Sequence, residues 1–436
     1  MLNRMTPFAD EVRTARAAQR TWAALPMRER LKFLTALRHH LVESARALTD
    51  AVSADVNRPA GEVLATDIVP TAAAAKYVAQ RAARILAPRR VRGRPLWLWG
   101  VRDEVHRRPH GVVGLIGTWN YPIFLNAVPI LHALAAGNAV LWKPSERAPR
   151  TAAVVATLFD LPPGVLQLLP GDRDNGPKLA EADIDFLHFT GSEPVGRKLA
   201  ARLGERLIPS ALELSGCDAM YVLLDGDPVM AARAAHYGAT LNAGRTCMAT
   251  RRAFVARPLY EAFVAELRTR PGLTLHLNPP PDSPACVEAS FEPRLSVLPF
   301  DALDDAFRMA AHSPFALTAA FFTNDIAQVN RLAPQLAVGS VIVNDVIVPT
   351  AHPGTPFGGH GASGWNVTQG DEGLLAMTVP QTISVRTSRF RPHLSLPPSE
   401  ALGLGLLRAS HAATWRERLA GLRQLVRAGR ETEADA

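Results

Sequence analysis

The sequence predicts an α/β fold in which parallel sheets are covered by helices on both faces. From residue 111, short apolar and β-branched runs end in Gly or Pro and give way to helical stretches: GVVGLIGT, NAVLWKP, VLQLLPG and IDFLHFTGS. Runs that are apolar throughout mark strands buried on both faces, and their alternation with helices marks parallel pairing through crossovers. The same texture returns between about 214 and 365, with YVLL, RAFVA, RLSVLPF, TAAFFT and GSVIVND as strands. A chain of 436 residues exceeds one ordinary core, so two or three domains are expected.

In chain order, residues 1–88 read as helices packing on the first sheet. Leu31, Leu34, Leu37 and Leu41 recur three and four apart with charges between them, which sets one apolar stripe inward. Residues 89–106, rich in Pro, Arg and Trp with an alternating LWLWGV core, read as a connector or hairpin strand that leaves the compact body. Residues 107–213 have the organisation of a nucleotide-binding α/β domain, with LNAVPILHALAAG and the Ala-rich stretch from Thr151 as crossover helices. A second α/β domain covers 214–365, and 366–388 reads as a return segment with a strand near QTISVR. Residues 389–436 open on the Pro-rich FRPHLSLPPSE and then become helical. From Trp415, Leu419, Leu422 and Val426 keep helical spacing among Arg416, Arg418, Arg423, Arg427 and Arg430, a basic amphipathic helix. Packing on its own protein is the plain reading of that stripe, and contact with a membrane surface is the alternative.

Composition narrows the function classes. The net charge of +8 comes mostly from arginines spread over the whole chain, a solvated face rather than a nucleic-acid footprint. Three cysteines and a start without the basic-then-apolar pattern of a signal peptide point to the reducing cytoplasm. The most apolar stretch, 123–141, is broken by Asn126, Pro129, His132, Gly137 and Asn138 and does not read as a membrane span.

Several segments carry chemistry. After strand IDFLHFT come Gly191, Ser192 and Pro194 at the start of a helix, where backbone N–H groups and a hydroxyl converge on a point suited to an anion. The strand NAVLWK ends in Lys143, Pro144, Ser145 and Glu146, and a Lys and a Glu at the carboxyl end of a parallel strand reach ribose hydroxyls. As isolated strings, both are also ordinary strand ends. Cys247 sits in NAGRTC, among small and polar residues, where Gly244 permits close backbone approach and Arg245 adds positive charge to favour a thiolate. Cys217 and Cys286 lack such surroundings and read as packing. Glu213, in the semi-apolar LELSG, is a carboxylate whose setting raises its pKa. No metal site is expected.

GTWNYP, LAAGNAVLWKPSE, FTGS, LELSG, NAGRTC, NDVIVP and PFGGHGASG together resemble the aldehyde dehydrogenase superfamily, in family order from about residue 5 to 385, and among its branches class 3, which oxidises fatty and aromatic aldehydes. The resemblance implies a Rossmann-type NAD(P)-binding domain, a catalytic domain and a small oligomerisation arm. It implies that Cys247 attacks the aldehyde, that Asn120 and the Cys247 backbone N–H hold the oxyanion, and that Glu213 activates the hydrolytic water. By the same resemblance Lys143 and Glu146 take the adenosine ribose, Gly191, Ser192 and Gly196 belong to the pyrophosphate turn and its helix, Trp119, Gly216 and Phe291 border the cofactor, and Phe357 lies by the substrate tunnel. The cofactor is NAD or NADP: Glu146 repels a 2′-phosphate, whereas Arg147 accommodates one. A homodimer through the 89–106 arm and the strand at 381–386 is implied as well.

The chain also departs from the family. The motif EEIFGP stands here as EASFEP, so Ala289 replaces the Glu that grips the nicotinamide ribose, with Glu288 and Glu292 as candidate substitutes. Losing such a bond costs about 1.5–3 kcal/mol of cofactor placement. Ala289 follows Cys247 by only 42 residues, about half the family interval, which implies a shortened catalytic domain. Arg245 stands for a Gln, Ser215 for a Gly and Cys217 for a Lys. Two other functions stay open: a CoA-acylating or acyl-thioester-reducing enzyme, and a non-catalytic relative.

Overall fold

A computed structural model describes residues 6–388, Leu394 and 400–434. The chain forms two compact units, Met1–Ile85 with Pro109–Val379, and Leu86–Arg108 with Pro380–Ala436. Both sheets expected from the sequence lie in the first unit.

That unit begins with five helices, α1 (Ala9–Ala24), α2 (Met27–Glu43), α3 (Ala45–Val56), α4 (Ala60–Val63) and α5 (Val69–Ile85). A π-helical turn, Leu64–Ile68, joins the last two and buries Asp67. The α2 stripe points inward as expected: Leu34, Leu37 and Leu41 are buried, while Leu31 is half-buried. Val12 and Ala15 of α1 join the core of the first sheet, and Trp22 Nε1 donates to Leu134 O at 2.9 Å.

The first sheet contains β3 (Val112–Ile116), β4 (Ala139–Lys143), β5 (Leu166–Leu168), β6 (Phe186–Thr190) and β7 (Ser210–Glu213), all parallel, and β16 (Gly364–Trp365), antiparallel to β7; the order is β16-β7-β6-β3-β4-β5. Every residue of β3, β4 and β6 is buried, as strands covered on both faces require. The crossovers are α6 (Phe124–Ala136), α7 (Pro149–Thr157), α8 (Asn175–Glu181) and α9 (Glu193–Glu205).

The second sheet is wholly parallel, in the order β10-β11-β9-β8-β13-β14: β8 (Asp218–Val222), β9 (Thr250–Ala256), β10 (Thr274–Leu277), β11 (Arg294–Phe300), β13 (Thr318–Phe322) and β14 (Ser340–Val343). Helices α10 (Pro228–Thr240), α11 (Arg257–Arg268), α12 (Pro284–Val287), α13 (Leu303–Ala310) and α14 (Ile326–Leu332) connect them. A two-stranded ribbon pairs β12 (Phe315–Ala316) with β15 (His360–Gly361). The chain then enters β16 beside Glu213, so 364–365 belongs to the first sheet rather than to the 214–365 portion that the sequence suggests. Helix α15 (Gly370–Ala376) follows.

In the second unit β1 (Arg89–Arg90), β2 (Val101–Pro109) and β17 (Thr378–Arg386) make a three-stranded sheet in the order β1-β2-β17. The 89–106 segment does supply hairpin strands, β1 lying antiparallel to β2 with Arg89 opposite Val105, but the LWLWGV core connects them rather than forming one: Leu96–Leu98 is a 3-10 turn and the strand begins at Val101. Gly100, with φ +76°, is the break between them. The Pro-rich linker at 389–399 lies outside the described residues apart from Leu394. Beyond it, α16 (Glu400–His411) and α17 (Trp415–Ala434) form a hairpin, packed so closely that a Cβ on Gly421 would lie 2.3 Å from Ala409 N. No described helix is long and apolar enough to cross a membrane.

Candidate active site

Strand β3 ends in the loop Gly117–Tyr121, and hydrogen bonding fixes that loop from within. Asn126 on α6 accepts from Thr118 N at 3.1 Å and donates to Thr118 O at 3.1 Å and Pro122 O at 2.8 Å. The first amides of α6 point at a buried carboxylate: Asp67 Oδ1 accepts from Phe124 N at 2.8 Å and Ile123 N at 3.3 Å. Arg58, itself buried, pairs with Asp67, donates to Asn120 O at 3.3 Å and lies over the Tyr121 ring at 4.6 Å.

The nucleophile segment is knit to the same loop. Asn120 Nδ2 donates to Arg245 O at 3.0 Å, Asn242 Nδ2 donates to Asn120 O at 2.8 Å, and the Tyr121 and Thr246 hydroxyls meet at 2.5 Å. The Asn120 amide keeps a second N–H, and its Oδ1 is held by Thr118 Oγ1 at 2.9 Å. Asn242 and Ala243 both adopt φ near +53°, a left-handed pair that turns the chain sharply before Cys247. Gly216 is needed for a different reason: a Cβ there would sit 2.6 Å from Cys247 O.

Cys247, Glu213 and Asn120 line one cavity of about 720 Å³, within the usual range for ligand sites. Trp119, Lys143, Glu146, Gly191, Ser192, Ala289, Phe291 and Phe357 line it too, so the structure brings together most of the residues singled out in the sequence. Gly196 and Gly216 do not line it. Gly196 lies against Leu214, where a Cβ would come within 2.5 Å, and lets α9 approach the sheet; Gly216 makes room for the Cys247 backbone. Gly196 borders a smaller, separate pocket beside Leu212, Leu214 and Trp365 instead. Glu288 and Glu292 are exposed and outside the cavity, so neither side chain takes the place left by Ala289. Arg173, Lys198 and Arg202 line the cavity and had no motif to announce them.

Glu213 is buried on β7, between Thr190 on β6 and Gly364 on β16. Burial pushes its carboxyl up to about 7, against the lowering by the Thr368 and Thr190 hydroxyls. The Thr368 contact, Oγ1 to Oε1 at 2.5 Å, comes from 155 residues away. Thr190 stands in the FTGS string itself; Thr368 gave no sequence signal.

The surroundings of Cys247 differ from expectation. Although half-buried, the thiol is pushed up to about 12 by desolvation first and then by Glu213 and Asp218. Arg245 does not supply the expected positive field: its guanidinium donates to Val56 O and Asn242 O, both at 3.0 Å, and lies 5.7 Å from the Trp119 ring centroid. The resting nucleophile is a neutral thiol.

The other end of the cavity suits a dinucleotide. Ser192 occupies the N-cap of α9 without a side-chain cap bond, which leaves first-turn N–H groups for an anion. Lys143 and Glu146 pair at 3.4 Å; burial lowers the lysine pKa, while Lys143 and a backbone bond hold Glu146 low against its own burial. Arg147 stacks on Trp119 at 3.5 Å, and Trp119 meets Phe291 edge-on at 5.7 Å. Among the described residues no group of three His, Cys, Asp or Glu could hold a metal ion.

The profile described as "Aldehyde dehydrogenase family" matches residues 6–272 and 270–383. The chain is 33% identical over 432 residues to "4,4'-diapolycopene aldehyde oxidase" of Methylomonas sp, covering 86% of this chain and 81% of that one. It is 30% identical over 425 residues to a Pseudomonas aeruginosa protein described as "Probable coniferyl aldehyde dehydrogenase", covering 85% and 89%. Among solved structures it resembles a Mycobacterium tuberculosis aldehyde dehydrogenase complexed with NAD+, with TM-score 0.81, 27% identity and coverage of 89% and 92%.

Proposed function

The chain belongs to the aldehyde dehydrogenase family, and from that premise we propose that it oxidises a hydrophobic aldehyde to its carboxylic acid with NAD or NADP. The observation that carries this reading is the convergence of Cys247, Glu213 and Asn120 on one cavity whose far end offers an uncapped helix N-terminus and the Lys143–Glu146 pair. When bound, NAD(P) supplies the hydride acceptor. Cys247 passes its thiol proton to solvent as its sulfur bonds to the aldehyde carbon, the one proton released in the overall reaction. The oxyanion so formed is held by the free N–H of Asn120 and the Cys247 amide. Expulsion of hydride restores the carbonyl as a thioester, and a water that gives its proton to Glu213 hydrolyses it, returning the thiol and releasing the acid. Leu125, Leu317 and Phe357 in the lining favour an apolar substrate, and the two relatives above are named for 4,4'-diapolycopene aldehyde and coniferyl aldehyde. Purified protein with aliphatic and aromatic aldehydes should reduce NAD or NADP; binding of cofactor with no aldehyde-dependent reduction across the panel would overturn the reading.

Hydrolysis needs a base to activate water whereas transfer to a CoA thiol does not, so the presence of Glu213 favours water as acyl acceptor, and it sets a pH dependence. Glu213 must be ionised to accept a proton, and its raised pKa keeps it neutral in acid. Steady-state turnover is therefore expected to rise as pH passes through about 7 and to fall on the acid side. Glu213→Gln should keep a single-turnover burst of NAD(P)H while lowering steady-state rate by about 10²–10⁴-fold. A flat profile from pH 5 to 9 in the wild type contradicts the assignment.

The division of the family match at 270–272, in the turn before β10, supports a catalytic domain shortened between Cys247 and Ala289. We assign the chain to the class 3-like branch and to the cytoplasm, the latter on its free thiols, and place a homodimer contact on β17, where Ile383 and Val385 are exposed. For the tail, one observation favours the membrane reading. Trp415, Leu419, Leu422 and Val426 form an exposed stripe, while α17 packs on α16 through Gly421 and its neighbours. Arg416, Arg418 and Arg423 are exposed around it, whereas the side chain of Arg430 lies outside the described residues. The full chain should sediment with anionic liposomes and not with neutral ones, and a variant ending before residue 400 should lose this; equal sedimentation of both chains refutes it.

A further inference from the structure

The reaction above makes no use of Arg251, a cation fully buried at the start of β9. Its guanidinium is directed at backbone carbonyls: Nη2 donates to Gly244 O, and Nη1 to Glu292 O and, at 3.3 Å, to Arg294 O, while Nε has no hydrogen-bond partner among the described residues. Asp218 and Glu292 act on this charge from a distance, but every one of its hydrogen bonds goes to a backbone carbonyl, and a buried guanidinium gives up such bonds only at a cost, which ties it to both segments.

The acceptors come from two places. Gly244 lies three residues before Cys247. Glu292 and Arg294 end the loop that carries Ala289, Ser290 and Phe291, all three of which line the cavity. The segments also touch directly: Gly244, at φ +78°, is so close that a Cβ would lie 2.5 Å from Glu292 C and 2.6 Å from Pro293 N. Arg294 Nη2 closes the loop on itself through Glu288 O at 3.1 Å. No glutamate from this loop reaches the cavity, so its fixed shape, with Phe291 set edge-on to Trp119, is what remains to hold a cofactor there.

We propose that Arg251 is a positioning residue that clamps the Ala289–Phe291 wall to the nucleophile segment and thereby sets cofactor affinity. This rests on the reading of the cavity as an NAD(P) site. A planar fork can bond two segments at once, which a lysine ammonium on a flexible stem does less well.

The test uses the full chain and the variants Arg251→Met and Arg251→Lys. Titration with NAD and NADP, followed by tryptophan fluorescence, should show affinity weakened by about tenfold or more in Arg251→Met, with Arg251→Lys intermediate. The KM for cofactor should rise by the same factor, and kcat at saturating cofactor should stay within about threefold, a split that general loss of folded protein does not produce. Unchanged affinity in Arg251→Met, or full recovery in Arg251→Lys, overturns the proposal. Should the Met variant fail to fold, Arg251→Lys decides alone: wild-type affinity overturns it. Titration reads binding without turnover, so a wild type that binds cofactor but oxidises no aldehyde defeats the functional reading and leaves this one standing. A wild type that binds neither NAD nor NADP defeats both.

Discussion

Cys247→Ala is expected to lower aldehyde-dependent NAD(P)H formation by about 10⁵-fold or more, the scale on which loss of a covalent nucleophile is felt. No other thiol can take its place. Cys217 is buried, with its Sγ against Cys286 O at 3.4 Å, and Cys286 is buried beside it. The variant should still bind cofactor, because the Lys143–Glu146 pair and the α9 N-terminus are elsewhere in the cavity. Nicotinamide absorbance with wild type, Cys247→Ala and Cys286→Ala checks this, with the last expected at the wild-type rate. A Cys247→Ala rate within tenfold of wild type would mean that the chemistry is not covalent at this sulfur.

Asp67→Ala should be the most damaging change outside the reacting groups. It strands the Arg58 guanidinium in the interior, removes the acceptor for two α6 amides, and loosens Asn120 through the Arg58 bond to its carbonyl. Breaking a buried pair from one side costs about 3–5 kcal/mol, softened here because Arg58 Nε also reaches Glu62 at 3.0 Å. In a unit of this size the melting temperature should drop by roughly 4–7 °C. The remaining folded enzyme should lose kcat more than cofactor affinity, since the oxyanion donor and not the dinucleotide end is disturbed. A melting temperature within about 2 °C of wild type would show that Asp67 carries no such load.

What the sequence made legible was whatever a short run of residues can encode. The buried strands in GVVGLIGT, NAVLWKP and IDFLHFT declare themselves because each carries a run of apolar residues without polar alternation, and the structure buries each of β3, β4 and β6 completely, His188, Thr190 and Lys143 included. The exposed four-residue β10 carries no such signature, and LWLWGV has an alternation that its glycine cancels. The same division holds at the site. Glu213 in its apolar string was readable as a raised carboxyl, but the Thr368 hydroxyl that steadies it is a long-range contact. Adjacency alone makes Arg245 a charge near Cys247, whereas side chains two apart in a turn need not share a direction, and that of Arg245 reaches Val56 O. Gly196 and Gly216 look like ligand glycines in a string; only space shows that one makes room for Leu214 and the other for a carbonyl.

The neutral Cys247 thiol has a consequence for the idle protein. Peroxides and alkylating agents consume thiolates, and a sulfur held well above neutral pH by burial and two nearby carboxyls presents almost none. Between turnovers the nucleophile is thus kept as the less reactive thiol. Damage to it should accumulate only while the enzyme is working.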